Sequence, residues 1–562
     1  MLRSRRERTP ARKGAGICAI ILAFSAPAAL QAQPAPFTAE DGYLPDFSYA
    51  GYQFGEKAPA LDNPTVIEAT EYGVQADDDK DDSVALKKAL AVAHDTSGPV
   101  VLQLPAGRII VSDILYLERS QMVLRGQGSG ATELYFPRPL QYLPDPPDLR
   151  ELREYLVAQD KRQREKANHI DLAFSQYSWA GGFIWTRVPG QRVKAYLEDY
   201  NQPQASLAHA IQGQRGDSWL TVDADHSLKA GQVISINWHN RDGEDGPLLK
   251  ALYPYPHNEL NIGSHHWTLP DQPLVKQPVL ITEVDGNRIR IKDTLLHDIE
   301  ASGGHTEITD WPHLTEVGIE RLSLTFPRSP MIAHHVEPGY NGLFLTRVFN
   351  GWVNDLRIRN ADSGILTEEV ANLTLENVTT SGENLAHYSI AMGDTHNVLV
   401  KHLKVHNEVR HPLSFNTYST RSIYTQSQVF TAPVLDQHSG ANHQNLFDDI
   451  EVLVHLDKDQ RERARYPLFK GGGASYWKPT HGAYNTFWNI RVQLDTYPAD
   501  SERPLALYGV SDGPQARLLG VHGNYPLEVD YGPDAVVRGL NAPPPGTPSL
   551  YEYQLRQRLD QP

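Results

Sequence analysis

Histidine is concentrated in one short part of this 562-residue chain. Seven of the 23 histidines lie between residues 387 and 443, far more than an even distribution would place there. They are His387, His396, His402, His406, His411, His438 and His443. An imidazole titrates near neutral pH, so it can take a proton from a reacting atom or give one to it. The segment is therefore the first candidate for acid/base chemistry.

Three polar strings surround these histidines: EVRHPLSFNTYS at 408–419, LDQHSGANHQNLFDDI at 435–450 and LFKGGGASYWKPTHGAYNTFWNI at 468–490. Within them His411, His438, His443 and His481 lie among glycine, asparagine, serine or proline. A histidine in such surroundings does not continue an apolar stripe. We therefore interpret these four residues as candidate site residues, whereas His402 and His406 are expected on solvated faces or turns.

Metal binding is a further use of the same residue types. Asp436 with His438 and His443, or His334 and His335 with Glu337, offer nitrogen and oxygen ligands for a divalent ion. The acidic run at 77–82 offers carboxylates for calcium, but it also precedes an amphipathic helical pattern. There Asp82 or Ser83 as a helix N-cap explains the same residues. The sequence does not decide whether a metal ion binds or which one. Calcium is one option, and the sequence requires no cofactor.

The elements that must position these residues are strands. Short segments that alternate apolar and polar residues begin at 317, 352, 370, 396, 421, 445 and 485. Period-two alternation indicates strands, and a spacing of roughly 20 to 25 residues indicates a solenoid of stacked coils. Stacking makes residues one coil apart into neighbours, which predicts that His411, His438 and Lys470 form one lateral column. Recurrent asparagines fit the turns between strands, because asparagine tolerates left-handed backbone; they are Asn354, Asn372, Asn397, Asn445 and Asn485.

Composition restricts the compartment and the partners. Basic residues at 3–13, an apolar run at 17–24 and small residues up to 32 predict a secretory signal peptide at 1–32, and the apolar run is too short to span a bilayer. Cys18, the single cysteine, lies inside it, so disulfides are excluded from the mature chain. The net charge of −16 argues against nucleic acid as a partner. We expect a periplasmic or extracellular protein with no membrane span.

The remaining sequence divides by pattern into five further parts. We predict an extended arm at 33–70, the first strands with a capping helix at 71–136, and an insertion at 137–311 containing a small β unit and aromatic and histidine-rich loops. The main coils, which carry the candidate site, are expected at 312–541, and a tail or cap at 542–562.

The first coils resemble a known superfamily. YGVQADDDKDDSVALKKAL from Tyr72, followed by VVLQLPAGRIIVSDILYL and LRGQGSGATEL, is similar to the opening of proteins of the pectate-lyase superfamily. The resemblance implies an all-β, right-handed parallel β-helix with an inserted small β and helical region and a short N-terminal helix cap. It also implies carbohydrate as the substrate class, although the superfamily includes several chemistries.

The favoured function is a secreted polysaccharide lyase that cleaves a uronic-acid-containing glycan by β-elimination. The reaction needs a cation or donors at the C6 carboxylate, a base at C5 and an acid at the leaving oxygen. We predict His411 and His438 as the acid/base pair, Lys470 as carboxylate ligand or alternative base, and Arg410 or Arg421 as a fork on the carboxylate. Further predicted substrate contacts are Asn416, His443, Asn445, Tyr476, Trp477 and His481.

Two other functions remain open at this point. A glycoside hydrolase on the same fold needs two carboxylates flanking the bond, for which Asp436 with Asp448 or Asp449 are the candidates. The paired aspartates and Gly-His-Gly turn typical of polygalacturonases are not visible in the sequence. The third function is a non-catalytic, glycan-binding β-helix.

Overall fold

The computed structural model describes residues 42–163, 174–195, 197, 200–254, 269, 271–303, 305–331, 333–438, 440–473, 478–509 and 513–560. The predicted signal peptide and the predicted sugar contacts Tyr476 and Trp477 lie outside the described residues. None of the helices in the described ranges combines the length and apolar character needed to cross a bilayer.

The first coils of a solenoid form around one helix. They consist of β1 (Thr65–Glu68), α1 (Ser83–Asp95), β2 (Val100–Gln103), β3 (Gly107–Ile110), β4 (Leu115–Leu117), β5 (Met122–Arg125) and β6 (Thr132–Tyr135). Helix α1 buries Leu86, Ala89, Leu90 and Ala93 and packs on β2 and β4, which confirms the predicted capping helix. Asp82 occupies the N-cap position, but its side chain accepts from the backbone of Gln75.

The segment between β6 and the main coils holds a small barrel. Its elements are α2 (Pro147–Gln163), β7 (Ile184–Thr186), β8 (Ser206–Gln212), β9 (Trp219–Val222), β10 (Val233–Trp238), α3 (Pro247–Leu252), β11 (Val275–Asp285), β12 (Arg288–Ile291) and β13 (Thr306–Asp310). Strands β8 to β13 close into an antiparallel barrel. Strand β7 instead pairs in parallel with β4. The insertion predicted at 137–311 is therefore interrupted by one strand of the solenoid.

The main coils follow as a succession of parallel strands. They are β14 (Leu314–Thr325), β15 (Asn341–Thr346), β16 (Val348–Arg359), β17 (Ser363–Glu368), β18 (Val370–Ser381), β19 (Ala386–Met392), β20 (Thr395–His396), β21 (Leu399–Lys401), β22 (Lys404–Val405), β23 (Val409–Phe415), β24 (Ile423–Thr425), β25 (Gln428–Val429), β26 (Leu435–Gln437) and β27 (Leu446–Val454). The last elements are α4 (Lys458–Arg463), β28 (Arg465–Phe469), β29 (Thr486–Leu494), β30 (Leu505–Gly509), β31 (Arg517–Gly523), β32 (Leu527–Asp530), β33 (Val536–Arg538) and α5 (Leu550–Leu559).

The parallel register aligns apolar residues of successive coils, so that they form one continuous core. One sheet, called here the site sheet, has the order β26-β23-β19-β17-β15-β7-β4. Within it Leu343 pairs with Ile365, Ile365 with Ile390, Ile390 with Leu413, and Leu413 with Leu435. A 17-stranded sheet and a three-stranded sheet complete the coils. The predicted parallel β-helix is confirmed.

Asparagine side chains occupy the corners of the coils, as the sequence predicts. Asn372 and Asn397 have φ of 53° and 54°, in the left-handed region that asparagine tolerates. Asn445 accepts a hydrogen bond from the backbone of Ser422, and its own N–H donates to the side chain of Asn485. These amides bond adjacent coils to each other where the chain turns.

Two peripheral segments lie along the outside of the 17-stranded sheet. Residues 42–61, called here the arm, bury Phe47 and Ala50 against a row of side chains from five coils and from α5. The row consists of Leu399, Ile423, Leu446, Trp488, Leu519, Leu550 and Tyr551. The C-terminal segment therefore packs on the flank of the solenoid, with its N-cap Ser549 bonded to Asp448.

Candidate functional site

The site sheet brings the predicted column of histidines together. Tyr388 on β19 pairs with His411 on β23, and Ser414 on β23 pairs with Asp436 on β26. His438 follows β26 directly, and its ring centroid lies 4.6 Å from that of His411. Parallel pairing of β23 with β26 brings the two histidines close although they are 27 residues apart in sequence.

Asp436 lies between the two imidazoles. Its Oδ2 is 3.2 Å from His411 Nδ1 and 3.4 Å from His438 Nδ1, and it accepts a 2.6 Å hydrogen bond from Ser414 Oγ. Asn416 extends the network by donating to Ser414 Oγ at 2.9 Å. Burial on its own would raise the pKa of Asp436, but the two imidazoles outweigh it and hold that pKa well below its usual range. Asp436 is thus a permanent anion.

Both imidazoles keep a small exposed fraction, although the carboxylate between them is buried. The His411 side chain is 13% exposed and that of His438 is 11% exposed, against 1% for Asp436. Burial lowers the pKa of His438, and the charge of Asp436 opposes that shift. Each Nδ1 faces the anion, so a neutral ring with its proton on Nδ1 would present Nε2 as a base.

A second group of histidines lies beside this one. His334 and His335 lie in the loop between β14 and β15, and His387 is the second residue of β19. The Nε2 atoms of His334 and His387 are 3.0 Å apart. The rings of His387 and His411 are 5.5 Å apart, so the two groups form one histidine cluster.

A buried carboxylate lies behind His387. Glu337 Oε1 is 3.3 Å from His387 Nδ1, and Ser178 Oγ donates to Glu337 Oε2. Burial lowers the pKa of His387 well below its ordinary value and that of His334 to about 2, with the neighbouring imidazoles adding to both shifts. Burial also raises the pKa of Glu337. His334 and His387 are therefore neutral near pH 7.

Two of the three predicted cationic residues, Arg410 and Lys470, are exposed to solvent. Arg410 precedes His411 on β23 and is exposed, and its charge acts on both His334 and Glu337. Lys470 is exposed too, two residues before Gly472, whose backbone pairs with His438. Both cations can approach an anionic ligand from solvent.

Other predicted contacts have structural partners. His443 is buried with its Nε2 2.8 Å from that of His297, and Arg421 is buried with its guanidinium donating to backbone carbonyls of Thr294 and Leu295. Both side chains thereby join the barrel to the coils. Arg421 is for this reason not the fork on a substrate carboxylate that the sequence predicts.

Asn445 and His481 are buried as well. Asn445 belongs to the row of corner asparagines, where its side chain bonds to the backbone of neighbouring coils. His481 is fully buried beside Thr480, 3.0 Å from its hydroxyl, and lies beneath Gly471. The structure therefore gives both residues supporting positions and does not expose them to a ligand.

The aspartates predicted for a hydrolase do not flank a common space. Asp448 is on β27 of the 17-stranded sheet, buried, with both oxygens accepting from Thr425, Ser549 and Leu550. Asp449 pairs with Arg491 on the same sheet. Asp436 belongs to the site sheet. The predicted pairing of Asp436 with Asp448 or Asp449 is therefore wrong.

The sequence placed His387 in the histidine-rich segment without giving it a role, and it did not connect Ser178 with the site. His387 starts a strand whose apolar alternation indicates core, and Ser178 comes from the region predicted as an insertion. The signal that was available is the His-His pair at 334–335 followed closely by Glu337. Its link to His387 depends on how the loop folds back across the sheet, which no periodicity encodes.

Solved structures with a partial likeness to this chain include a phage tailspike, an epimerase module and an exopolygalacturonase. No protein-family model matches the sequence, and no curated protein matches it. Among solved structures, the tailspike gp49 of Pseudomonas phage LKA1 matches with a TM-score of 0.45 and 10% identity over 84% of this chain and 78% of that one. The A-module of Azotobacter vinelandii mannuronan C-5 epimerase AlgE4 matches with 0.33 and 10% over 84% and 100%. The Yersinia enterocolitica family 28 exopolygalacturonase matches with 0.33 and 12% over 85% and 77%.

The strand pairing of the chain itself defines the fold. Successive coils pair in parallel through the site sheet and the 17-stranded sheet, as in the β-helix of the pectate-lyase superfamily. The parallel β-helix that the resemblance implies is confirmed by this pairing.

Proposed function

We propose that the protein is an exported polysaccharide lyase that cleaves a uronic-acid-containing glycan by β-elimination. The observation that supports this most directly is the placement of Asp436 Oδ2 within 3.4 Å of Nδ1 of both His411 and His438. A carboxylate that orients an imidazole through Nδ1 leaves Nε2 for proton transfer. Two such imidazoles, partly exposed and side by side, supply a base and an acid.

The elimination assigns one proton to each imidazole. One Nε2 removes the C5 proton of the uronate, and the electrons of the C5–H bond form a C4–C5 double bond. The C4–O bond breaks, and the leaving oxygen takes a proton from the other imidazole. Asp436 stabilises whichever imidazole is cationic, which keeps the pair at one positive charge through the cycle.

The substrate carboxylate needs neutralisation before C5 becomes acidic. Arg410 and Lys470 are exposed, and a guanidinium can bind a carboxylate through two hydrogen bonds. Asn416, predicted as a substrate contact, is half-buried and donates to Ser414, which in turn donates to Asp436. These placements favour His411 and His438 as catalytic residues and Arg410 as carboxylate ligand.

Product chemistry tests the proposal. The mature protein is incubated with a panel of uronic-acid polysaccharides while ultraviolet absorbance of the unsaturated uronyl end and new reducing ends are both followed. We expect absorbance to rise together with reducing ends, and His411→Ala and His438→Ala to slow the rise by about 10²- to 10⁴-fold. His455→Ala, which alters an exposed histidine paired with Asp495, is the matched control and should keep full activity.

Other outcomes are equally informative. Reducing ends without absorbance would refute elimination and indicate hydrolysis. Saccharide binding with neither product, measured by calorimetry on the same panel, would identify a glycan-binding β-helix instead.

A further inference from the structure

The loop that carries His334 and His335 closes over the start of β19. The Nε2 atoms of His334 and His387 are 3.0 Å apart, and each of the three histidines offers one nitrogen within 4.8 Å of the others. Nitrogen ligands about 2.0–2.1 Å from a tetrahedral zinc ion lie roughly 3.3 Å from one another. The 3.0 Å spacing between His334 and His387 is therefore close to that of two ligands of one ion.

The other nitrogen of His387 faces a buried carboxylate at ion-pair distance. Nδ1 is 3.3 Å from Glu337 Oε1, and Glu337 also accepts from Ser178 Oγ and from the backbone of His335. Histidines that bind metal through one nitrogen characteristically donate the other N–H to a carboxylate, which fixes the ring. Glu337 therefore orients both the His387 ring and the loop that supplies the other two imidazoles.

The buried carboxylates beside these histidines favour a bound cation. Glu337 is 2% exposed and Asp436 is 1% exposed, so two carboxylates lie behind a wall of imidazoles. Buried carboxylates need compensating positive charge. An ion bound to His387 would compensate Glu337 through the ring between them.

We propose that His334, His335 and His387 bind a divalent transition-metal ion of the zinc class, with Glu337 as the carboxylate behind His387. Three imidazoles suit zinc, cobalt or nickel far better than calcium, which prefers oxygen ligands. Three protein ligands would leave such an ion able to bind a further ligand, and the His411 ring lies 6.2 Å from that of His334. In the proposed elimination the ion would neutralise the substrate carboxylate; that role rests on the proposed function, whereas metal binding does not.

The chain contains its own control for this geometry. His297 and His443 form a second buried pair, with Nε2 atoms 2.8 Å apart. His443 Nδ1 faces the carbonyl of Ala441, not a carboxylate. In the part of the chain that the structure describes, the groups of three or more converging ligand residues are the proposed site and His411–Asp436–His438, and neither contains this pair. A simple imidazole pair should not bind metal tightly.

The experiment measures zinc binding without substrate. Full-length mature protein, purified without a histidine tag and stripped with chelator, is titrated with Zn²⁺ against a chromophoric competitor and then loaded with Co²⁺ for its visible absorption. We expect one tightly bound ion with a tetrahedral Co²⁺ spectrum. His334→Ala and His387→Ala should lose it, Glu337→Gln should weaken it about 10- to 100-fold, and His443→Gln should keep it.

The variants separate the possible failures. His334 lies in a loop, so His334→Ala should fold even if His387→Ala does not, and circular dichroism checks both. Absence of binding, or equal binding by wild type and His334→Ala, would overturn the proposal. A stripped protein that eliminates at full rate would refute the role of the ion and leave the lyase standing, while metal binding without elimination would do the reverse.

Discussion

At the scale of single residues, Asp436 decides between the two enzymatic functions. A hydrolytic acid or nucleophile needs access to the scissile bond and a second carboxylate nearby. Asp436 lacks that access: it is buried, and its Oδ2 faces two imidazoles and the Ser414 hydroxyl. The same contacts suit a residue that orients acid and base. The reactive atoms are then the two Nε2 nitrogens, not the carboxylate.

Gly472 offers a test of that orientation that leaves every polar group in place. A Cβ atom at this position would lie 1.9 Å from His438 Nδ1 and 3.0 Å from His411 Cε1. Gly472→Ala must therefore push the His438 ring off Asp436. We expect kcat to fall by at least about 10²-fold, in line with the loss of one acid/base group, while the thermal midpoint changes little.

Gly130→Ala is the matched control, because a Cβ there meets its nearest atom, Arg357 Nη1, at an ordinary 3.7 Å. It should have wild-type activity. If Gly472→Ala also turned over substrate at the wild-type rate, the close contact of His438 with Asp436 would have no catalytic importance.

The candidate site was predictable as far as coil stacking determines it. His411 and His438 lie on or directly after paired strands of successive coils, so stacking predicts that they approach each other, although the register does not pair them directly. His443 and Arg421 occur in equally polar strings, but they are buried under the barrel. The docking of one element on another is set by shape and charge over many residues, and no local pattern reports it.

At the scale of elements, lysines join the inserted region to the site sheet. Lys276 on β11 pairs with Asp394 at 2.8 Å, and Lys194 pairs with Glu368 at 2.7 Å. Arg347 pairs with Glu369 beside them. The acids lie at the ends of coil strands, so these ion pairs fix the barrel relative to the solenoid.

Lys276→Met tests this junction. The substitution keeps the aliphatic stem but leaves the buried carboxylates without one of their cations. We expect a loss of about 3 kcal/mol in the free energy of unfolding, near the lower end of the range for breaking a buried ion pair. Urea denaturation measures it.

Asp394→Asn in the same chain should restore part of the loss, because it removes the uncompensated charge. Asparagine also tolerates the left-handed backbone at this position, where φ is 46°. A double variant no more stable than Lys276→Met would contradict the charge argument.

Asp448 gives the docking of α5 a dependence on pH. It accepts from Ser549 Oγ and from the N–H of Leu550, at the start of that helix. Burial raises the pKa of Asp448 to about 7, against the opposing effect of its hydrogen bonds. The folded state therefore holds a proton that the unfolded chain, with an aspartate pKa of about 3.9, releases.

The consequence is a loss of stability as pH rises. Between pH about 4 and about 7 the folded state binds more protons, so the free energy of unfolding should fall by up to ~1.4 kcal/mol per pH unit, then level off. Asp448→Asn resembles the neutral acid at every pH. Stability measured at pH 5 and pH 8 should differ more in wild type than in this variant; parallel behaviour would show that Asp448 is ionised throughout.

At the scale of the whole molecule, the sequence predicted the repeat better than its interruptions. Alternating segments predicted the long strands correctly because each coil buries one face against its neighbours. The insertion was predicted as continuous, yet β7 at Ile184–Thr186 returns to the site sheet between the two halves. Three residues are too few to produce a periodic signal, and their place is set by pairing partners on both sides.

The arm links coils that are not neighbours in the stack. In a solenoid each coil contacts only its neighbours, so stability is approximately a sum of local terms. The arm packs Phe47 against the row that ends at Trp488 and Leu519, and Tyr52 against Val101, Val123 and Trp352. One short segment thus contacts both early and late coils.

Removing both anchors should make the coils unfold in separate steps. Phe47 is fully buried, and truncation of a buried phenylalanine costs about 3–5 kcal/mol. In Phe47→Ala/Tyr52→Ala we expect a lower urea midpoint and transitions by circular dichroism and tryptophan fluorescence that no longer coincide. Tyr142→Ala, at a 70% exposed tyrosine, should retain coincident transitions. Coincident transitions in the double variant as well would mean that the coils are coupled without the arm, through the strand ladders alone.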